Sequence, residues 1–291
     1  MKRYLALQKI VETGSYAKAA DAMGYSQPAL TSMITSLEDE LQLKLLNRKR
    51  TGSSLTDEGR ELYPYIERTI FQYHATLEKA KDINNLKTGI IRMATVTSVS
   101  VNWLPEVIQE FHKKYPDVEF VMHQGDYTMI EEWVKTGAVD FGFVSPEHVK
   151  GIETEPLKEG KFSAVLPVDH PLASLDVVPL KDLAAEQFIM LEMGQHSECE
   201  AAFRAHSIKP NVRYTMHDDY AIMAMVERGM GVSLLADLIL NRIKSSFNVV
   251  TKPVDPPVTR MLAVGYKDKL DLPRASRKFI KELKAHIDRL P

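Results

Sequence analysis

The stretch "AKAADAMGYSQPALTSMITSLEDEL", residues 17–41, decides how this chain is read. Its first half keeps Ala19, Ala20 and Met23 on one side, small enough for a neighbouring helix to cross closely, and Gly24-Tyr25 makes a short turn. Ser26 then offers a hydroxyl acceptor as an N-cap, with Gln27 and Pro28 in the first turn, where a missing N–H costs nothing. Leu30, Met33, Ile34, Leu37 and Leu41 follow at the spacing of a buried helical stripe, which leaves Gln27, Thr31, Ser32 and Thr35 facing outward. An ordinary surface helix carries Lys and Glu there; this one carries short, uncharged polar groups.

Upstream, a helix from about Arg3 to Thr13 places Tyr4, Leu7, Ile10 and Val11 on one face and ends at Gly14, after which Ser15 starts the next. Downstream, "LKLLNRKRTGSSLT" (residues 43–56) has two short extended pieces around Arg48, Lys49, Arg50, Thr51 and Gly52, a basic hairpin. Thr56 caps a long helix from Asp57 to about Lys87. There Leu62, Ile66, Ile70, Tyr73, Leu77 and Ala80 alternate steps of four and three, the seam of a helix that pairs with another helix. Pro64 lies near its start and is expected to kink it at most.

Beyond residue 88 strands alternate with helices: "IIRMATV", "VEFVMHQ", "VDFGFV", "FSAVLPV", "VRYTMH", "GVSLLA" and "RMLAVGY" read as strands, "VNWLPEVIQEFHKKYP", "MIEEWVKTG" and "DYAIMAMVERG" as helices, with a closing helix over 273–290. This alternation calls for open parallel sheets with helices on both faces, and its length suits two lobes.

Composition places the 291 residues among globular proteins, with 44% hydrophobic and 26% charged residues. No apolar run is long enough for a membrane span, and Gln8, Lys9 and Glu12 interrupt the N-terminal apolar pattern, so neither a span nor a signal peptide is expected and the chain is expected in the cytoplasm. The single cysteine, Cys199, excludes an intramolecular disulfide and a multi-cysteine zinc site, and reads as a bystander more simply than as a sensor. The nine histidines lack metal-ligand spacing, "GMG" at 229–231 lacks the spacing of a dinucleotide loop, and no nucleophile-base-acid motif or P-loop is present. No catalytic residue, metal or cofactor is expected. Residues 1–56 hold eight Lys and Arg against five Asp and Glu, so affinity for a polyanion belongs at the N-terminus.

The run "GSYAKAADAMGYSQPALTSMITSLEDELQLKLLNR" (residues 14–48), followed by "LTDEG" (55–59), resembles the winged helix-turn-helix of LysR-type transcriptional regulators. "VDFGFV" (139–144), "DHPLAS" (169–174) and "VERGMGVSLLA" (226–236) look like that family's effector-binding domain. The resemblance implies a winged helix-turn-helix over residues 1–56, a linker and dimerisation helix over 57–88, and an effector-binding domain over 89–291. That domain is α/β and two-lobed, similar to type 2 periplasmic binding proteins, with lobe I about 89–161 and 267–291 and lobe II about 162–266. It further implies a homodimer through the linker helix, assembled as a homotetramer, that binds double-stranded DNA and a small effector in the cleft.

Onto this frame the candidate residues fall in two groups. Ser26, Gln27 and Pro28 open the helix that enters the major groove, where Gln27 can pair with adenine and Thr31 can touch a base edge. Thr35 and Ser36 read as phosphate contacts or plain surface, and Ser32 departs from the family pattern, which often has Arg or Lys there. Arg48, Lys49 and Arg50 form the wing along the phosphates. For the effector, Thr97, Ser98 and Ser100 follow the first strand and favour an anionic ligand, although Ser100 reads equally as a simple N-cap. Gln124, Ser145, Gln195 and His196 join them by family position. Two other classes remain open: a ligand-binding module whose N-terminal helices only dimerise, and an enzyme using the cleft.

Overall fold

The computed structural model of this chain describes residues 1–49, 52–83, 89–194 and 197–290. It divides into two compact units, one of N-terminal helices and a hairpin, the other of the alternating strands and helices that follow.

In the first unit, α1 (Lys2–Thr13), α2 (Tyr16–Met23) and α3 (Gln27–Leu41) precede a hairpin of β1 (Leu46–Lys49) and β2 (Gly52–Leu55), then α4 (Asp57–Ile83). Each boundary has a local cause. Gly14 and Gly24 close α1 and α2 in the left-handed region, at φ 64° and 70°, where a residue without Cβ is unstrained. The hydroxyls of Ser15 and Ser26 accept from the N–H groups of Lys18 and Ala29, as caps of α2 and α3. Thr56 accepts from Gly59 N–H at 2.9 Å, and its hydroxyl donates to the Lys44 carbonyl at 2.6 Å.

Leu7, Ile10, Ala19, Ala20, Leu30, Ile34 and Leu37 bury together with Leu45, Leu46, Ile66 and Ile70, and Tyr4, Val11, Met23, Met33 and Leu41 pack at the edge of that core. Buried Glu38 ties the end of α3 to the hairpin: its carboxylate accepts from Leu45 N–H at 2.9 Å, Leu46 N–H at 3.3 Å and Lys44 Nζ at 2.8 Å. Burial pushes this carboxyl up, but Lys44 and the two N–H groups outweigh it and hold it below its ordinary range. α4 runs through Pro64 as one helix of 27 residues. Its seam changes character along its length: Ile66 and Ile70 are buried, whereas Tyr73 and Leu77 are 39% and 42% exposed. The side chain of Ala80 lies outside the described set.

The second unit opens with β3 (Gly89–Thr95), α5 (Thr97–Asn102), α6 (Leu104–Lys114), β4 (Val118–Gln124), α7 (Tyr127–Thr136) and β5 (Phe141–Val144). It continues through β6 (Glu153–Pro167), β7 (Val178–Pro179), α8 (Leu180–Ala185), β8 (Phe188–Leu191), α9 (Glu198–Ala205), β9 (Val212–Met216) and α10 (Asp219–Glu227). β10 (Ser233–Ala236), α11 (Asp237–Ile243), β11 (Val249–Asp255), β12 (Thr259–Tyr266) and α12 (Arg274–His286) complete it.

The sheets are mixed, not parallel as the alternation suggests. β4 and β5 flank β3 in parallel, but β12 runs antiparallel to both β5 and β6, and β10 and β11 run antiparallel to β6. The cause is β6, a strand of 15 residues of which only the apolar end, 162–167, was legible. Its first half is charged and half-exposed and pairs with β12; its second half is buried and pairs with β10 and β11. One strand thus serves two cores, the first packed around Trp103, Phe111, Phe141, Phe143 and Phe279, the second around Leu166, Phe188, Phe203, Met223 and Leu234.

Two other local expectations change. The helix expected from residue 101 is two helices, α5 ending before Trp103 and α6 beginning with Leu104 and Pro105, since proline needs no N–H at a helix start. α5 begins at Thr97, so Ser100 lies inside it and the N-cap position belongs to Val96. The short helices α8 and α11 carry too few residues for a helical period to register.

Candidate functional site

On α3, Ser26, Gln27, Pro28, Ser32 and Thr35 are exposed and Thr31 is half-buried. Gln27, Pro28, Thr31, Ser32, Thr35, Ser36 and Asp39 line one open concavity along the helix. Arg3 reaches it from α1, its Nη1 donating to the Ser36 hydroxyl at 3.0 Å and pairing with Glu40 at 2.6 Å. Sequence reasoning did not place Arg3 or Asp39 on this face; Asp39 was available as the i+4 neighbour of Thr35, whereas Arg3 depends on how α1 packs. In the hairpin Arg48 stands opposite Ser53 and Lys49 opposite Gly52. Ser53 N–H donates to the Gly14 carbonyl at 2.8 Å, and a Cβ on Gly52 would sit 2.8 Å from that oxygen, so only glycine lets the hairpin lie this close to the α1–α2 turn. The side chains of Arg48 and Lys49, and all of Arg50, lie outside the described residues. Short side chains at the start of a helix allow close approach to base edges, which a fringe of Lys or Glu prevents.

The second unit holds a cavity of about 300 Å³ between its two cores. Thr97, Ser98, Gln124 and Asp126 form one wall, Leu191, Glu192, Glu198 and Asp219 the other, and Phe162 and Arg260 come from the strands that join them. Gln124 Nε2 donates to Thr97 Oγ1 at 2.8 Å, so these two candidates hold each other. Ser100 stands behind them, its hydroxyl 3.5 Å from Gln124 Oε1, and is not on the wall. Ser145 does not reach the cavity: it is buried with its hydroxyl 3.0 Å from His148 Nδ1, and His148 stacks on Tyr127. Gln195 and His196 lie outside the described residues. Gly194, at φ 75°, brings its backbone against the opposite wall, where a Cβ would meet Thr128 Oγ1 at 2.5 Å and Asp126 Oδ1 at 2.6 Å.

The residue that organises this cavity, Arg260, was not among the sequence candidates. Its side chain is 5% exposed; Nη2 donates to Ser98 Oγ at 2.7 Å, Nη1 to Tyr127 Oη at 3.1 Å, and the guanidinium lies 5.5 Å from the Phe162 ring centre. Glu198, equally buried, has Oε1 3.6 Å from Nη1, too far for a hydrogen bond. Glu198 Oε1 and Arg260 Nε both lack a hydrogen-bond partner among the described residues. Burial raises the Asp219 carboxyl to about 6, against the pull of Arg260 and with the push of Asp218. Burial also raises the Cys199 thiol, which donates to the Leu234 carbonyl at 3.2 Å and so stays protonated. A single Arg at the head of the apolar "RMLAVGY" strand was the only sign available. The walls carry Asp126, Glu192, Glu198 and Asp219 against one guanidinium, the reverse of the charge that the expected anionic ligand calls for.

Comparison with known proteins covers both units. Residues 1–60 match the family model for the bacterial regulatory helix-turn-helix protein, lysR family, and residues 84–288 match the LysR substrate binding domain. The chain is 31% identical over 277 residues to the HTH-type transcriptional regulator YvbU of Bacillus subtilis (strain 168), covering 95% of this chain and 94% of the relative. It is 26% identical over 232 residues to the transcriptional activator protein LysR of Escherichia coli (strain K12), covering 79% and 75%. Among solved structures, full-length CbnR complexed with its target DNA superposes with a TM-score of 0.72 at 18% identity, over 98% of each chain. No helix among the described residues is long and apolar enough to cross a membrane.

Proposed function

The chain belongs to the LysR family of bacterial regulatory proteins, and on that premise we propose which of its residues do the work. It is a LysR-type transcriptional regulator with a ligand-binding substrate domain, in a family of regulators and not of enzymes. α3 enters the major groove of double-stranded DNA, with Gln27 and Thr31 at base edges, Ser26, Pro28, Ser32 and Thr35 close to the backbone, and Arg48, Lys49 and Arg50 along the phosphates. The observation that carries this reading is the polar face at the start of α3, uncharged from Ser26 to Ser36, in the same unit as a hairpin of basic sequence. The relative CbnR was solved on its target DNA, which supports the same use here.

The exposed apolar pair Tyr73 and Leu77 on α4 supports a homodimer through the linker helix, residues 57–88, with two dimers forming a homotetramer in the cytoplasm. The effector occupies the cavity between the lobes of residues 89–291, touching Thr97, Ser98, Gln124 and Arg260.

Mixing the full-length protein with its own upstream region at low salt tests the DNA assignment. Gln27→Ala weakens operator binding about tenfold and leaves random duplex unaffected. Arg48→Ala weakens both and lowers the salt slope by about one unit. Failure to retard any upstream fragment, with or without small metabolites, rejects the reading.

A further inference from the structure

The cavity wall poses a chemical problem that its own residues leave unsolved. Glu198 is 95% removed from solvent and lines the cavity; the Tyr127 hydroxyl bonds its carboxylate, yet Oε1 is left without a hydrogen bond among the described residues, and its nearest cation stands at 3.6 Å. A buried carboxylate oxygen left without a donor is destabilising. Arg260 pairs with it by charge and not by a hydrogen bond: Nη1 and Nη2 each direct an N–H to Tyr127 and Ser98, and Nη1 stands 3.6 Å from Oε1. Around it stand Asp126, Glu192 and Asp219, so the field in the cavity is negative and strengthened by low-polarity neighbours such as Val96, Met129, Met193 and Ile239. A ligand whose only charge is negative enters against that field.

We propose that the effector carries a cationic nitrogen, an ammonium or related organic cation on a small apolar body, whose N–H groups meet Glu198 with Asp219 beside it. The proposal rests on the reading of this cavity as the effector site. A carboxylate on the same ligand has the Arg260 guanidinium to meet, so amino acids fall within the class as well as simple amines. A metal ion is the poorer occupant: among the described residues no group of three or more His, Cys, Asp or Glu is placed to hold one.

The test is a thermal-midpoint screen of the full-length protein, followed by calorimetry. The probes are the proteinogenic amino acids, the linear aliphatic mono- and diamines, the matching mono- and dicarboxylates, and magnesium and zinc ions. The expected result is stabilisation by compounds bearing a cationic nitrogen, with affinity lowered about tenfold by Glu198→Gln and, as an independent check should that variant fold poorly, by Asp219→Asn. Stabilisation by carboxylates alone, by a metal ion through Glu198, or by no nitrogen compound at all overturns the proposal. Met193→Trp, which fills the cavity from a half-buried position, separates the two levels. A carboxylate whose binding Met193→Trp abolishes leaves the effector site standing and removes only its charge class. Amine binding that survives both Met193→Trp and Glu198→Gln lies elsewhere and removes both.

Discussion

At the scale of single residues, two side chains in the first unit carry opposite kinds of work. Ser32 is exposed on the concave face of α3 and adds no charge to it. Ser32→Arg therefore adds one phosphate contact and raises affinity for operator and random DNA alike, with little gain in specificity; filter binding at several salt concentrations checks it, and unchanged binding to both duplexes contradicts it. Glu38 faces inward instead. Its carboxylate takes the N–H groups of Leu45 and Leu46 together with Lys44, and Glu38→Ala leaves two buried donors without an acceptor. The expected loss is about 2–3 kcal/mol, read as a lower denaturation midpoint of the intact protein. Glu38 belongs to the sequence motif, but its role was not legible there, because its partners are backbone groups seven and eight residues away, past the end of the helix.

At the scale of elements, the strands and the last helix of the second unit are pinned by one carboxylate. Glu155 on β6 accepts from Lys269 at 2.5 Å, from Lys284 on α12 and from Tyr266 on β12, and these partners, Lys269 first, hold its carboxyl at about 2. Its folded value lies below the ordinary 4.5, so its stabilisation is complete above that pH and fades as pH falls toward 2. Glu155→Gln should therefore destabilise the protein at neutral pH by on the order of 1 kcal/mol, discounted for the solvent around the two lysines, and the gap from the parent should close in acid. A gap that stays constant from neutral pH to pH 3 would show that Glu155 acts through packing alone. The helices were largely readable because caps and apolar periods are local: Ser15, Gly14, Gly24, Ser26 and Thr56 stand where a chain must enter or leave a helix. The charged half of β6 was not, since a strand paired on both sides but exposed on its faces has no apolar signature.

At the scale of the whole molecule, ligand and pH are coupled through the cavity. Asp219, raised to about 6 by burial, faces Arg260 from β12, Glu198 from α9 and Asp218 beside it, with His217 and Glu192 at the same wall. A cation binds the ionised carboxylate, so affinity for an amine should rise as pH increases through 6 and level off above it, while the amine itself stays charged. Calorimetry between pH 5 and 8 reads this directly, and affinity that falls over that range contradicts the assignment. The amino-acid sequence by itself determined the helices of the first unit, the exposed polar face of α3, the two-lobed α/β character of the remainder and the family to which the chain belongs. The elements follow from periods, caps and turns that span a few residues each, and the family from the resemblance carried by residues 14–59. Only the tertiary structure decided the mixed pairing around β6, the exclusion of Ser145 from the cavity and the charge of its walls. Arg260 meets Ser98 and Tyr127 across 162 and 133 residues of chain, and no local pattern records which distant side chains a folded sheet brings into contact.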